Sequence, residues 1–420
     1  MSSQWLWSIS IIARRIWFRA TLFSIAAVAT ALIAIVISPY LPADLSTRIG
    51  ADSVDRILGI IASSMLTVTT FSLSTMVSAY SAATSNVTPR ATRLVMEDST
   101  TQNVLATFVG SFLFSLVGII ALTTGVYGDR GRIVLFIVTI GVIVLIVVTL
   151  LRWIDHLSRL GRVTETTRRV EETTLSAVRA WKRVPCLGGR PLTEDFDPAG
   201  MDPIFASKIG YVQHVDAGAL AKLADEVDAE IALVAIPGKL VAGPNPIAWA
   251  SRKIGDEDVR ERIAACLTIG DVRSFDQDPR FGASVLAEIA SRALSPAVND
   301  PGTAIDVISR SIRIMAAWHD QGAEAGAKDG QGVVYPRLLV APVCVSDLFD
   351  DLFTPIARDG AGLVEVGLRL QKALGMLAGY GSEFEANARR HSREALERAD
   401  VALQIDADRQ RFRQAAGQFS

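Results

Sequence analysis

Hydrophobic and polar positions divide this chain into two unlike parts. Before residue 152, four apolar stretches contain no Asp, Glu, Lys or Arg: Ala20 to Ser38, Ile57 to Ala83, Val104 to Tyr127 and Ile133 to Leu151. Each approaches or exceeds the roughly 20 helical residues that cross a bilayer core, so the pattern predicts four transmembrane helices. Beyond residue 152 the apolar positions come in shorter runs broken by charges and turn residues, as in a folded domain in water.

The second stretch carries an internal polar pattern. In "SSMLTVTTFSLSTMVSAYSAATS", Ser63 to Ser85, twelve residues are Ser or Thr. Ser63, Thr67, Thr70, Ser74, Ser78, Ser81 and Ser85 follow in steps of three or four and so share one helical face. Such a face either packs on another helix or lines a hydrated path. Packing has a partner in the third span, where Thr107, Ser111, Ser115 and Gly118 form a face of small residues. A pore is chemically open as well, because hydroxyls replace part of an ion's hydration shell. The spans hold no Asp, Glu, Lys, Arg or His, which disfavours proton-coupled transport. The fourth span, nearly all bulky and branched, suits a lipid-facing position.

Basic residues set the expected orientation. Arg14, Arg15, Arg19, Arg90, Arg93, Arg152, Arg159, Arg162, Arg168 and Arg169 flank one side, against Arg48, Arg56, Arg130 and Arg132 on the other. The positive-inside rule then places both termini in the cytoplasm, with the first span retained as an anchor. The expected domains are a transmembrane domain over 1–152, a linking helix over 153–181 and a cytoplasmic α/β domain over 182–420.

Within that last domain, "KIGYVQHVD" and "EIALVAIPGKLVAGPNPIAWA" alternate short apolar runs with Pro-Gly and Gly-Pro-Asn-Pro turns, predicting a small β-sheet or barrel. "RLLVAPVCV" adds a buried strand after the Gly-rich "GAEAGAKDGQG". Asp278-Pro279 and Asp300-Pro301 each combine an N-cap with proline at the first helical position, so helices start at Pro279 and Pro301. From Ser346 to about Ile405 the pattern is helical. Its last part is a charged amphipathic helix suited to a solvated or oligomer-contact face.

Composition narrows the function. Half the residues are hydrophobic, mean hydropathy is +0.32 and net charge is −2, as expected for a mixed membrane and soluble chain without a nucleic-acid partner. Cys186, Cys266 and Cys344 have no paired spacing, and His156, His214, His319 and His391 are scattered, so neither a disulfide framework, a metal site nor a cofactor is expected. Around the Ser-Pro turn, Arg292, Ser295, Asn299 and Asp300 form either a capped helix-loop-helix or a ligand or subunit contact, an arginine and helix starts being suited to an anion. No nucleophile-base pair is evident, so no enzymatic activity is expected.

"RALSPAVNDPGTA", "GYVQHVD", "PGKLVAGPNP" and "SNVTPR" together resemble the bacterial predicted membrane proteins of domain-of-unknown-function family 2254. The resemblance covers nearly the whole chain and implies an architecture without an activity. Where that family has a more aromatic, glutamine-containing stretch before a Ser-Pro-Arg, this chain has Val87, Thr88, Pro89 and Arg90. The expected function is a homo-oligomeric passive channel or transporter for ions or small solutes in the bacterial inner membrane. The alternative is a non-conducting sensor or scaffold whose cytoplasmic domain binds a partner or small anion.

Overall fold

The computed structural model of the protein describes residues 16–37, 51–96, 98–124, 129–320 and 333–417. It separates into two compact units, Ser8–Thr166 and Thr167–Ser420.

The first unit is helical: α1 (Ile16–Ile37), α2 (Ala51–Asn86), α3 (Pro89–Met96), α4 (Ser99–Thr123) and α5 (Asp129–Arg159). Among the described residues, three segments are long and apolar enough to cross a membrane, Ser53–Ala82, Ser99–Thr123 and Arg132–Arg159. The expected first span falls on α1, a 22-residue helix, of which Ala20–Thr30 is a shorter apolar segment among the described residues. The expectation of four spans is therefore met for three. The end of the first stretch at Ser38, together with Arg14, Arg15 and Arg48, lies outside the described residues.

Helix α4 is the most buried of the three, and two glycines show why. A Cβ on Gly110 would come within 3.3 Å of the Phe23 carbonyl oxygen of α1, and one on Gly118 within 3.0 Å of Leu58 Cδ1 of α2. Both sites admit a neighbouring helix that a side chain would hold off. Around them, Val54, Leu58, Phe114, Ala121 and Leu135 form one core, and Ile61, Met65, Val104, Phe108, Ile146 and Trp153 another. Ile137, Val144, Val147 and Leu151 of α5 remain exposed, the bulky surface expected toward lipid.

The stretch expected as one linking helix is two. Helix α5 continues to Arg159, the chain turns at Gly161 with φ +81°, and α6 (Val163–Arg183) begins afresh. Left-handed backbone favours glycine here, and a Cβ would also sit 3.2 Å from the Ala79 carbonyl oxygen.

The second unit mixes helices and two sheets. In chain order its further elements are β1 (Arg190–Pro191), β2 (Asp202–Phe205), β3 (Gly210–Val215), α7 (Ala217–Glu226), β4 (Ile231–Leu233), β5 (Leu240–Val241), β6 (Pro246–Ala250), α8 (Glu257–Ala265) and β7 (Leu267–Gly270). There follow α9 (Pro279–Ala293), α10 (Pro301–His319), β8 (Leu338–Val340), α11 (Val345–Asp359), α12 (Val364–Ala378), α13 (Ser382–Ala402) and α14 (Asp406–Ala416). The larger sheet is mixed, in the order β1-β8-β4-β6-β2, with β8 parallel to both β1 and β4. The smaller is antiparallel, β5-β3-β7. Short runs at close intervals thus build two open sheets rather than a barrel.

All three residues of β4 are buried, as its central place requires, and Ile231, Leu233, Ile247, Leu338 and Val340 anchor the core between sheet and helices. On the charged helix α13, Phe384, Ala388, His391, Ala395 and Ala399 recur every three or four residues and face inward. The Gly-rich segment 322–332 lies outside the described residues.

Candidate functional site

The hydroxyl stripe of α2 faces away from the helices of its own unit. Ser63, Thr67, Thr70, Ser74, Ser78 and Ser81 are all exposed, while Val54, Leu58, Ile61, Met65, Ser72 and Met76 on the opposite side are buried. Ser85 lies on the same helix, beyond its described side chains. The small face of α4, in contrast, is internal: Thr107, Ser111, Ser115 and Gly118 are buried, and Gly118 receives Leu58 and Leu135. The two small-residue faces therefore do not dock on one another within the chain.

Local geometry shows how the stripe is tolerated. The Ser63 hydroxyl donates to the Gly59 carbonyl at 3.0 Å, Thr67 to Ser63 at 3.0 Å and Thr70 to Leu66 at 2.9 Å. Each hydroxyl hydrogen is thereby used inside the helix, leaving oxygen lone pairs to face outward.

A second polar feature joins three helices of this unit. Asp98 caps α4, accepting from the Thr101 backbone N–H at 3.0 Å and from its hydroxyl at 2.7 Å. His156 of α5 places Nε2 2.8 Å from Asp98 Oδ2 and 3.1 Å from Thr101 Oγ1. One turn earlier Trp153 stacks on His156, with ring centroids 5.6 Å apart, and its indole N–H donates 2.9 Å to the buried Ser72 hydroxyl of α2. Read in sequence, His156 is isolated and Asp98 is an ordinary residue between spans. Their pairing spans 58 positions and carries only one local signal, the Asp-Ser-Thr-Thr start of a helix cap.

In the second unit, the turn between α9 and α10 is built as a double cap. Asp300 accepts from the Thr303 N–H at 3.1 Å and from its hydroxyl at 2.6 Å. The Ser295 hydroxyl donates to the Arg292 carbonyl at 2.7 Å, and the Asp300 N–H reaches the Ala293 carbonyl at 2.8 Å. Asn299 takes φ +50°, a left-handed value that asparagine tolerates. Pro296 to Asp300 are exposed, whereas Arg292 and Ser295 are half-buried, so the structure brings the four candidate residues to one surface turn.

Beside this pair of helices, α6 is held by charge. Glu171 accepts from Arg310 and Arg313 of α10, the Arg313 Nη2 contact being 3.0 Å, and Arg310 also reaches Asp306 at 2.7 Å. Burial pushes the Glu171 carboxyl up, but the two arginines draw it below its usual range. Among the described residues, no three His, Cys, Asp or Glu are grouped so as to hold a metal ion. Cys186 and Cys266 are buried free thiols, and burial first, with Asp216 nearby, pushes the Cys266 thiol up to about 12.

Comparison with known proteins places this architecture. Uncharacterized proteins of Mycobacterium bovis and Mycobacterium tuberculosis are 29% identical over 261 residues, 60% of this chain and 50% of theirs. The chain thus spans about half the length of these curated relatives. No solved structure matches it significantly. A family model described as "Predicted membrane protein (DUF2254)" matches residues 13–376, which includes the apolar helices, both sheets and the capped turn. The chain belongs to this family of predicted membrane proteins.

Proposed function

We propose that the chain is a homo-oligomeric passive channel or transporter for ions or small solutes in the bacterial inner membrane, assembled so that the α2 stripes of several copies face a common axis. In this reading α1 is a fourth span, both termini are cytoplasmic, and the second unit gates or assembles the pore. The observation that carries it is the outward-facing row from Ser63 to Ser81 on an otherwise apolar span whose other side is packed. Because Ser63, Thr67 and Thr70 spend their hydroxyl hydrogens on backbone carbonyls, a pathway lined by them presents oxygen acceptors and suits cations and water better than anions.

Purified protein in liposomes, assayed for flux alongside its assembly state, tests the proposal. Leu at Thr70 and Ser74 together abolishes cation flux by dewetting while the oligomer persists. Absence of flux from assembled wild-type protein across varied ions ends the channel reading. It would favour a non-conducting scaffold, for which the same internal hydrogen bonds are the supporting observation, since they lower the cost of turning the stripe toward lipid. Orientation is tested separately by cysteine substitution at Ser99, which resists external labelling in intact cells.

A further inference from the structure

A cavity of about 810 Å³ opens in the second unit between α6, the first turn of α7 and the segment around Tyr335. That volume is in the range of small-molecule sites. One wall is a face of α6, Ala177, Ala180 and Trp181, continued by Val184 just past its end, where two alanines leave depth and the indole supplies a flat apolar surface.

The facing wall is held by bonds within the protein. Val334 and Tyr335 both donate their backbone N–H to the Gly188 carbonyl, at 2.8 and 2.9 Å. The chain reaches that carbonyl by passing through Cys186 and Leu187 at φ 50° and 55°, a conformation uncommon for either residue. A Cβ on Gly218 would lie 3.2 Å from the Tyr335 hydroxyl, so the phenol sits against the start of α7. The Gln277 side-chain oxygen accepts from the Val215 N–H at 2.9 Å, which fixes the neighbouring Asp276 segment.

The lining is acidic as well as aromatic: among the described residues it carries Asp216, Asp225 and Asp276 and one lysine, Lys222, with Asp216 also accepting from the Ala219 N–H at 3.0 Å and Asp276 from the Ser274 hydroxyl at 3.2 Å. Arg337, 3.3 Å from Asp225, offsets one of them. Behind Asp216 and Asp276, burial pushes the His214 imidazole below its usual range despite both carboxylates, so it adds no positive charge near neutral pH.

We propose that this cavity binds an organic amine cation with a flat apolar body, its ring against Trp181 and Tyr335 and its ammonium toward Asp276 and Asp216. An anion of the same shape meets carboxylates instead. Since one wall belongs to α6, occupancy ties that helix to the strand layer, whether or not the chain conducts.

Full-length protein in lipid nanodiscs, titrated calorimetrically and by thermal shift, tests this with three probes of one shape: protonated tryptamine, indole-3-ethanol and indole-3-propionate. Tryptamine binds and raises the unfolding temperature, the alcohol binds more weakly, and the carboxylate does not bind. Asp276→Asn weakens tryptamine about tenfold, or about 1.4 kcal/mol, and leaves the alcohol unchanged. Ala180→Phe, at an exposed helical position, removes both without altering the unliganded melting temperature. Absence of tryptamine binding, equal binding by the carboxylate, or unchanged tryptamine affinity in either variant overturns the proposal. A loss of flux in the liposome assay has no bearing on these readouts.

Discussion

Thr67 and Thr70 of α2 bond to carbonyls four residues back in their own helix, whereas Glu171 of α6 is held by Arg310 and Arg313, 139 and 142 residues further along. The contrast extends through both units. In the second, arginines tie distant elements together: Arg280 to Asp347 and Asp351, Arg260 to Asp202, and Arg390 to Asp350. In the first, hydroxyls such as those of Thr67 and Thr70 close locally, and one tertiary polar cluster joins Asp98, Thr101, His156, Trp153 and Ser72. A helix destined for lipid has no water to fall back on and must satisfy its polar groups within itself. In a water-facing domain the unfolded chain is solvated, so long-range ion pairs can organise the fold at modest cost.

The sharpest break in this contrast comes from removing the centre of a long-range cluster. Glu171→Ala leaves Arg310, which is 7% exposed, with Asp306 as its remaining partner. The second unit's calorimetric transition in full-length protein should lose about 3 kcal/mol, near the lower end for a broken buried pair. The same pairing predicts acid sensitivity with a definite sign. The native Glu171 carboxyl titrates below its unfolded value of 4.5, so its contribution is complete above that pH and disappears as pH falls through the native value. Glu171→Ala lacks this acid-linked loss, and a variant as acid-sensitive as wild type would show that Glu171 is not its source.

Next in size is the exception inside the helical unit. Asp98→Ala removes a buried cap and the partner of His156 together, and should cost about 2 kcal/mol in detergent unfolding. Asp300→Ala removes the corresponding exposed cap in the second unit and should cost about 1 kcal/mol. Equal losses from the two would mean that the His156 contact adds nothing.

The smallest effect tests the local side of the comparison. Thr67→Val keeps the shape and removes a hydroxyl that serves only its own helix and the surface beyond it, so stability should change by less than about 0.5 kcal/mol. A much larger loss of assembly, read by gel filtration, would show the stripe to be a contact between copies. Unchanged assembly with reduced flux would place Thr67 on the pathway.

The amino-acid order alone determined the apolar spans, the turn-punctuated strands of the second unit and the capped starts at Pro279 and Pro301, because each depends on residues within a few positions of one another. The stripe from Ser63 to Ser81 was legible for the same reason: period 3.6 places those side chains on one face whatever surrounds them. What that face meets was not legible. Periodicity defines a direction around a helix axis and says nothing of its neighbours, and only packing showed that Leu58 of α2, rather than the stripe, fills the space at Gly118. The break at Gly161 escaped because glycine is permitted in a helix as well as at a left-handed turn, and the close approach of Ala79 accompanies the turn. His156 with Asp98, and Glu171 with its two arginines, are long-range pairs, and a residue's own neighbourhood carries almost no information about a partner that arrives only when helices pack. Tertiary structure decided those, since the free energy of burying a charge depends on which opposite charge the fold brings to it.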